Sequence, residues 1–593
     1  MFLRFKRFLR NSKLWKFFNR IHLWHKKISQ LRYILFVYFL IIFVFSLLLW
    51  SPITQNNPEQ NWYFFKNYIN AIFTTASAFS DTGLVVYDTY IYWNMFGQAI
   101  IAILIVLGGI GIFAIKFFII NYLFRKSVST LTSVQVLQSE RGDNDINSTI
   151  KLVTSSVKFL LFVILFSGFF MSLYFYFASP SQTFGISKYL NNQYINPQGN
   201  WSLAFRFGYF HTISAINNAG FDIISNRSIM PYYLNYGLQI WIIVLLVIGG
   251  IGYPTIYDFH KFLKRKLRGN KKKYHFSLFS KVSIITYILV LLVGMIITIS
   301  LETTSHSNST LWNRIYIPQH LSNTYIKWIE AYNNSPDLLN LLTVSTKENL
   351  PLEQQEWFDV LNQGTIPGEI SSLKDYINQG TMYGSKFDRT FAIIFTAFST
   401  RSAGFTTVNV RHFTHSSTLI WIIMMLIGAA PSSTGGGIRT TTLALLVKSG
   451  VSVLLGRKRV RLFKRAIEPK TVFMSGQAFA FTFVIVIFIS FISFSSFDIH
   501  GGNIQTSYIT QKAFDSSKPF YDTEHLIFEV ASAFGTTGLS TGITQDLNII
   551  SKLGIILTMF IGQFGVSSTL LVWKRKRAKD QNYEYITEDI AIG

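Results

Sequence analysis

The chain has 593 residues, 49% of them hydrophobic and 14% charged, where a soluble globular chain carries about 25% charged residues, so lipid rather than water is the expected solvent. It has no cysteine, which excludes disulfide scaffolds, thiolate metal sites and cysteine nucleophiles. The formal charge of +25, from 54 Lys and Arg against 29 Asp and Glu, admits nucleic acid, anionic lipid or membrane topology as its cause.

Residues 1–30 are basic and rich in Phe and Trp, as an interfacial amphipathic segment would be, and no small-residue cleavage site follows the apolar run Tyr33 to Trp50. Further apolar runs lie at Val157 to Phe177, Ile240 to Ile248, Val282 to Ile299, Ala478 to Phe491 and Leu553 to Ile561. With their flanks, several approach the roughly 20 residues that cross a bilayer as a helix. Basic clusters at Arg4 to Arg32, Lys261 to Lys273, Arg457 to Lys470 and Lys574 to Lys579 each sit beside the end of such a run. That is the positive-inside pattern. It favours topology and anionic lipid over nucleic acid, and places both termini in the cytoplasm of a multi-pass plasma-membrane protein.

One pattern recurs four times between these runs. It reads SAFSDTGL at Ser77 to Leu84, SAINNAGF at Ser214 to Phe221, FSTRSAGF at Phe398 to Phe405 and SAFGTTGL at Ser532 to Leu539. Each copy follows a segment too short to span and precedes a longer apolar run. A second signature lies inside that run: LGGIG at Leu107 to Gly111, IGGIG at Ile248 to Gly252, IGAAP at Ile427 to Pro431 and IGQFG at Ile561 to Gly565. Its first glycine falls 25, 29, 24 and 24 residues after Gly83, Gly220, Gly404 and Gly538. Every unit therefore reads as helix, re-entrant half-helix with loop, and helix.

The expected fold is an all-α polytopic membrane protein of four helix–pore loop–helix units around one central pore, with eight spans. The units cover 31–125, 150–268, 278–456 and 470–577, and a tail follows at 578–593. An outer insertion over about 302–386 carries Glu330, Asp337, Glu348, Glu353, Glu356 and Asp359, and Asn333, Pro336, Pro351 and Pro367 argue against one long helix there. It reads as a solvated addition without transport chemistry.

Non-helical backbone survives at membrane depth only where it is buried in protein or lines water. Four loops meeting on one axis supply that lining, and glycine lets successive carbonyls turn toward the centre. Converging carbonyl oxygens replace a cation's hydration shell, and the negative ends of four short helices aim at the same place. The expected filter consists of Asp81, Thr82 and Gly83, Asn218, Ala219 and Gly220, Ser402, Ala403 and Gly404, and Thr536, Thr537 and Gly538, with a dehydrated cation of low charge held by backbone carbonyls. Asp81 and Asp222 are expected near the outer mouth. Asn217, Asn218, Thr536 and Thr537 suit a strained loop, and His211 reads as a packing residue. Arg401 would oppose conduction if it lined the path, so it is expected to point away and pair with a carboxylate such as Glu529.

These motifs resemble the potassium-translocating subunits of the Trk, Ktr and HKT superfamily, most closely the bacterial KtrB type. The likeness rests on NNAGFD at Asn217 to Asp222, STRSAGF at Ser399 to Phe405, FEVASAFGTTGLSTGIT at Phe528 to Thr544 and GAAPSSTGGGIRTTT at Gly428 to Thr442. It implies a homodimer of four-unit pores, with glycine at all four filter positions in K⁺-preferring members, as here. It also implies a cytosolic nucleotide-binding partner of KtrA or TrkA type.

Pro431 and Gly435 to Gly437 break a helix by themselves, and the resemblance makes Pro431, Ser432, Ser433, Thr434, Gly435, Gly436, Gly437 and Arg439 a gating loop below the filter. Arg439 stands where the family has Lys. In the fourth unit, Gln563 stands where the family carries the arginine of a GRxGP pattern. No cofactor is expected. A Na⁺-permeable or Na⁺-coupled permease of the same superfamily is the alternative reading, disfavoured because serine replaces none of the four filter glycines. A membrane-embedded enzyme is the remote one, since HExxH, GxSxG and GxxxxGK(S/T) are all missing.

Overall fold

The computed structural model describes residues 30–57, 64–119, 146–269, 274–318, 376, 379–463, 465–505 and 521–566. The basic segment 1–30 apart from Gln30, most of the outer insertion with its six acidic residues, and the tail 578–593 lie outside them. Among the described residues the only sheet is a hairpin pairing Arg461–Leu462 with Arg465–Ala466; the rest is helix and loop.

Among the described residues, four helices are long and apolar enough to cross a membrane: Arg32–Trp50, Ile150–Phe177, Leu278–Thr303 and Pro469–Ser496. Their outward faces carry large apolar side chains such as Phe39, Phe162, Ile296 and Phe491, all exposed. An exposed apolar face of this extent is stable only in contact with lipid or another protein.

Each long helix is followed by a short one that stops: Phe64–Phe79, Trp201–Ile216, Lys386–Ser399 and Thr523–Gly535. At 1.5 Å per residue none crosses 30 Å. The second starts on Asn200, whose side chain accepts from Leu203 N–H, and the third on a capping box between Ser385 and Asp388. Their far ends, where the repeated loops begin, are buried rather than solvated.

The returning helices are Met95–Val106, carried on by a π-helical turn over Leu107–Gly111, then Tyr236–Gly250, His415–Leu426 and Ile549–Phe564. Here the structure adds to the expectation that the third unit's second helix breaks. All four break at the second glycine signature, whereas the sequence marked a break only in the third unit. Gly111, Gly252 and Gly565 take positive φ of 92°, 83° and 92°. At Gly252 the chain bends by 105° into the helix Tyr253–Leu267, which has Pro254 in its first turn and Lys264, Arg265 and Lys266 in its last.

The third unit is tied together by polar contacts between helices. Trp421 Nε1 donates to Thr298 Oγ1 at 2.9 Å, and the Ser283 and Thr440 hydroxyls lie 2.9 Å apart; such interhelical bonds average about 0.6 kcal/mol in a membrane protein. Glu302, expected at the start of the insertion, is instead fully buried. Its Oε1 accepts from Thr414 N–H at 2.8 Å, Thr414 Oγ1 at 2.9 Å and Ser417 Oγ at 2.6 Å, which fixes where His415–Leu426 starts.

A candidate cation filter and the loop beneath it

The four repeated loops share one backbone conformation. Two residues before each filter glycine stands a non-glycine residue with positive φ: Asp81 at 51°, Asn218 at 58°, Ser402 at 76° and Thr536 at 46°. The glycines follow at 86°, 70°, 78° and 82°. Left-handed residues are uncommon outside glycine, and here four occur at one position of a repeat. In units one, two and four the turn closes identically, with N–H donation over five residues from Thr82 to Ser77 O, Ala219 to Ser214 O and Thr537 to Ser532 O, each 2.8 Å. The third differs: Ala403 N–H reaches Ser399 O, four residues back, at 3.0 Å.

The loops meet in a closed ring. A Cβ on Gly83 would strike the Ala219 carbonyl oxygen. One on Gly220 would lie 2.6 Å from Ala403 O, and one on Gly404 2.7 Å from Thr537 O. One on Gly538 would strike Thr82 O, which returns the circuit to the first unit. Each glycine thus faces the carbonyl that precedes the next unit's glycine. On one side of the ring a cavity of about 150 Å³ is lined by all four glycines together with Asp88, Asp222, Arg227 and Ser540, among others. Asp222 and Asp88 therefore line the same cavity as the four glycines. Asp81 is the correction: it is buried on the opposite side, where Oδ2 accepts from Gln563 Nε2 at 3.3 Å.

That opposite side is filled by the segment Pro431 to Gly437. Its residues reach three of the four left-handed positions directly. Thr434 Oγ1 donates to Asn218 Oδ1 at 3.2 Å, and Gly436 N–H donates to both Ser402 Oγ, at 3.1 Å, and Thr536 Oγ1, at 2.7 Å. Asp81, the fourth, is reached through Gln563, whose Nε2 also donates to Thr434 O at 3.0 Å. Arg439 holds the base of the segment, donating to Gly435 O and, at 2.8 Å, to Gln563 O. Ser432 has φ of 57° and Gly437 of 78°, Ser433 Oγ donates to Ala430 O at 2.6 Å, and Pro431 O lies 2.6 Å from where a Cβ on Gly252 would be.

Three features escaped the sequence. Arg401 is buried and points away from the path, but its partner is not Glu529. It donates to the carbonyls of Met424 (3.1 Å), Ile427 and Gly428 (2.6 Å), closing the end of His415–Leu426, and lies 4.9 Å from the Tyr287 ring centre. A guanidinium with several donors suits a helix terminus whose last carbonyls have no helical partner. Glu529 instead braces its own loop, accepting from Ser540 Oγ at 2.8 Å, Thr541 N–H at 3.4 Å and Thr544 Oγ1.

His211 occupies the corresponding place in the second unit, nine residues before its filter glycine. Its Nδ1 lies 2.7 Å from Phe207 O, and Ile223 N–H donates to Nε2 at 3.4 Å. It is a brace as well as a packing residue, because Ile223 and Thr541 each stand three residues beyond the filter glycine. Finally, the first signature glycine has a reason. A Cβ on Gly108, Gly249 or Gly562 would strike the carbonyl of Phe79, Ile216 or Phe534, so these glycines let the returning helix touch the end of the short one. Aligning the two signatures would have suggested it.

Long lipid-facing helices around four inward-meeting, non-helical segments define an integral membrane protein with a polar axis, and among the described residues no group of His, Cys, Asp and Glu could hold a metal ion. The TrkH family model, described as a cation transport protein, matches residues 32–315 and 382–585, and the chain belongs to that family, which is one of transporters and not of enzymes. An uncharacterized cation transporter of Mycoplasma genitalium is 32% identical, across 96% of this chain and 98% of its own length. The Ktr system potassium uptake protein D of Bacillus subtilis is 28% identical, across 95% and 98%. A potassium/sodium uptake protein of Enterococcus hirae is 24% identical, across 96% and 98%.

Proposed function

We propose that this chain is a K⁺-translocating membrane subunit that passes the ion down its electrochemical gradient through the ring of Gly83, Gly220, Gly404 and Gly538. The ring carries the reading: four glycines at positive φ, each packed against the next unit's carbonyl, bring backbone oxygens together of the kind that replace a cation's hydration shell. The flanking residues Asp81, Thr82, Asn218, Ala219, Ser402, Ala403, Thr536 and Thr537 complete the filter. The segment Pro431 to Gly437, held by Arg439 and Gln563, is its gate. The cavity side is extracellular and the basic side cytoplasmic, and an inside-negative potential supplies about 2.3 kcal/mol per charge per 100 mV for uptake.

The Ktr-system relative supports a subunit that works with other components, which we take to be a cytosolic nucleotide-binding ring, and a homodimer in the plasma membrane. The potassium/sodium uptake relative makes Na⁺ the ion to test against. The deciding experiment is ion flux into proteoliposomes containing this chain alone. K⁺ or Rb⁺ is expected to enter faster than Na⁺ without ATP. A preference for Na⁺, or flux that needs hydrolysis by this chain, overturns the proposal.

A further inference from the structure

The chain leaves the second unit at the 105° bend between Tyr236–Gly250 and Tyr253–Leu267. Membrane helices tilt on average about 20° from the bilayer normal, so the second of these helices runs within roughly 35° of the membrane plane. Its faces differ in chemistry. One is tied to the protein: Asp258 accepts from Ser277 N–H at 3.0 Å and Ser280 Oγ at 2.7 Å, at the start of Leu278–Thr303. A second is apolar and open, with Phe259, Leu263 and Leu267 at four-residue spacing and 52%, 44% and 79% exposed. A third is basic, with Lys261, Lys264 and Arg268 all exposed, and Lys266 borders the apolar stripe on its other side. An exposed apolar stripe between basic side chains fits the boundary of a bilayer, where the stripe enters the acyl region and the cations reach up to phosphates.

The start of this helix is bonded to the loop beneath the ring. Tyr253 N–H donates to Ser432 O at 2.9 Å, and Ala430 N–H donates to Gly250 O at 3.1 Å. The Tyr253 hydroxyl reaches the break in the first unit as well, donating to Ile110 O at 2.7 Å. We infer that Tyr253–Leu267 docks anionic phospholipid headgroups of the leaflet on the basic side, and that the docked lipid holds the segment Pro431 to Gly437 in place under the ring. A ligand favours the conformation that it binds, and here the in-plane helix and the seated loop belong to one conformation, joined by backbone hydrogen bonds across the bend. The inference rests on the pore and gate reading above and adds to it the class of lipid that acts on the gate.

Because the chain has no cysteine, single labels can be placed without background. The full-length variants Leu263→Cys and Lys264→Cys, each carrying a bimane label, are reconstituted into vesicles of phosphatidylcholine and phosphatidylglycerol. Lipid spin-labelled high on its acyl chain is expected to quench the label at 263 at least about threefold more than the label at 264, since the first faces acyl chains and the second headgroup water. Equal quenching overturns the docking, and two labels that both report water would give this face to a protein partner instead.

Resting Rb⁺ flux is then measured with and without phosphatidylglycerol and divided by the flux of the Gly435 to Gly437 deletion in the same vesicles, which cancels reconstitution yield and the ion concentration at the surface. With phosphatidylglycerol present, the unmodified protein is expected to pass an at least about threefold smaller fraction of that reference. Lys264→Gln, Lys266→Gln and Arg268→Gln together should abolish the difference. Arg457→Gln, Lys458→Gln and Arg459→Gln together, an equal loss of exposed basic charge elsewhere, should keep it. A fraction well below one that ignores the lipid, or a difference lost equally in both triple variants, overturns the inference and leaves the pore and gate intact. A fraction of one in both lipids fails the gate reading and the inference with it, and no Rb⁺ flux from the deletion fails the pore reading. If the first triple variant elutes as aggregate on size exclusion, the lipid dependence of the unmodified protein and the two labels decide.

Discussion

Units one, two and four solve the end of the short helix in one way, and unit three in another. In the three alike, the returning helix brings Gly108, Gly249 or Gly562 onto the last carbonyls of the short helix, backbone against backbone. In the third, a Cβ on Gly428 would strike Gly436 O of the unit's own loop, and Arg401 takes up the neighbouring carbonyls. The freed loop then fills the space under the ring. A fourfold scaffold can therefore carry one asymmetric part if the displaced unit replaces its lost backbone contact with a side chain, and a buried arginine is the side chain with donors enough to do so.

The comparison breaks first at the ring. Replacing any of Gly83, Gly220, Gly404 and Gly538 with Ser puts a Cβ onto a neighbour's carbonyl and is expected to lower the K⁺ to Na⁺ permeability ratio by roughly tenfold or more, equivalent to about 1.4 kcal/mol of ion discrimination. Four single variants with the unmodified ratio would remove these glycines from the filter.

Arg401→Met tests the substitute contact. It leaves the three carbonyls of Met424, Ile427 and Gly428 without their donors, at about 1–3 kcal/mol for each buried group left unpaired, so the melting temperature in detergent should fall sharply. Glu529→Gln should act independently of it. A coupled double-mutant cycle would reinstate an Arg401–Glu529 pair and contradict the geometry described above.

Deleting Gly435 to Gly437 should raise resting cation flux with the permeability ratio unchanged, because the ring lies beyond the loop. Wild-type flux in a deletion variant that elutes as a single species would show that this segment does not gate.

The smallest effect expected is at Gln563. Gln563→Arg puts a guanidinium beside Asp81, and like charges about 4 Å apart repel by roughly 4 kcal/mol at an effective dielectric of 20. A permeating cation meets part of that where Asp81 does not cancel it, so Gln563→Arg should conduct less than Gln563→Met at equal expression. Equal flux would place the charge off the path or wholly neutralised.

Local signals were legible in the chain itself. The short apolar segments, the four repeated glycines, the second signature at nearly constant offset and the helix-breaking run from Pro431 to Gly437 follow from backbone freedom and hydrophobic length, which are properties of a residue and its near neighbours. Family membership was legible for the same reason, since its motifs are contiguous. Partners were not. Arg401 and Glu529 lie on segments where any of several carboxylates or carbonyls satisfies the same charge, and only the packing of His415–Leu426 against the third loop selects three backbone oxygens for the arginine.

Asp81 was misplaced by its position next to the filter, because adjacency in sequence does not say which side of a left-handed turn a side chain leaves. The kinship of His211 and Glu529 was hidden because different side-chain chemistry performs one task, accepting an N–H three residues past the glycine. Composition and repetition determined a four-unit membrane protein with glycine at its centre. Only the tertiary structure decided how those units close into a ring, and that the third gives up its backbone contact to place a loop beneath it, because closure depends on distances between segments more than a hundred residues apart.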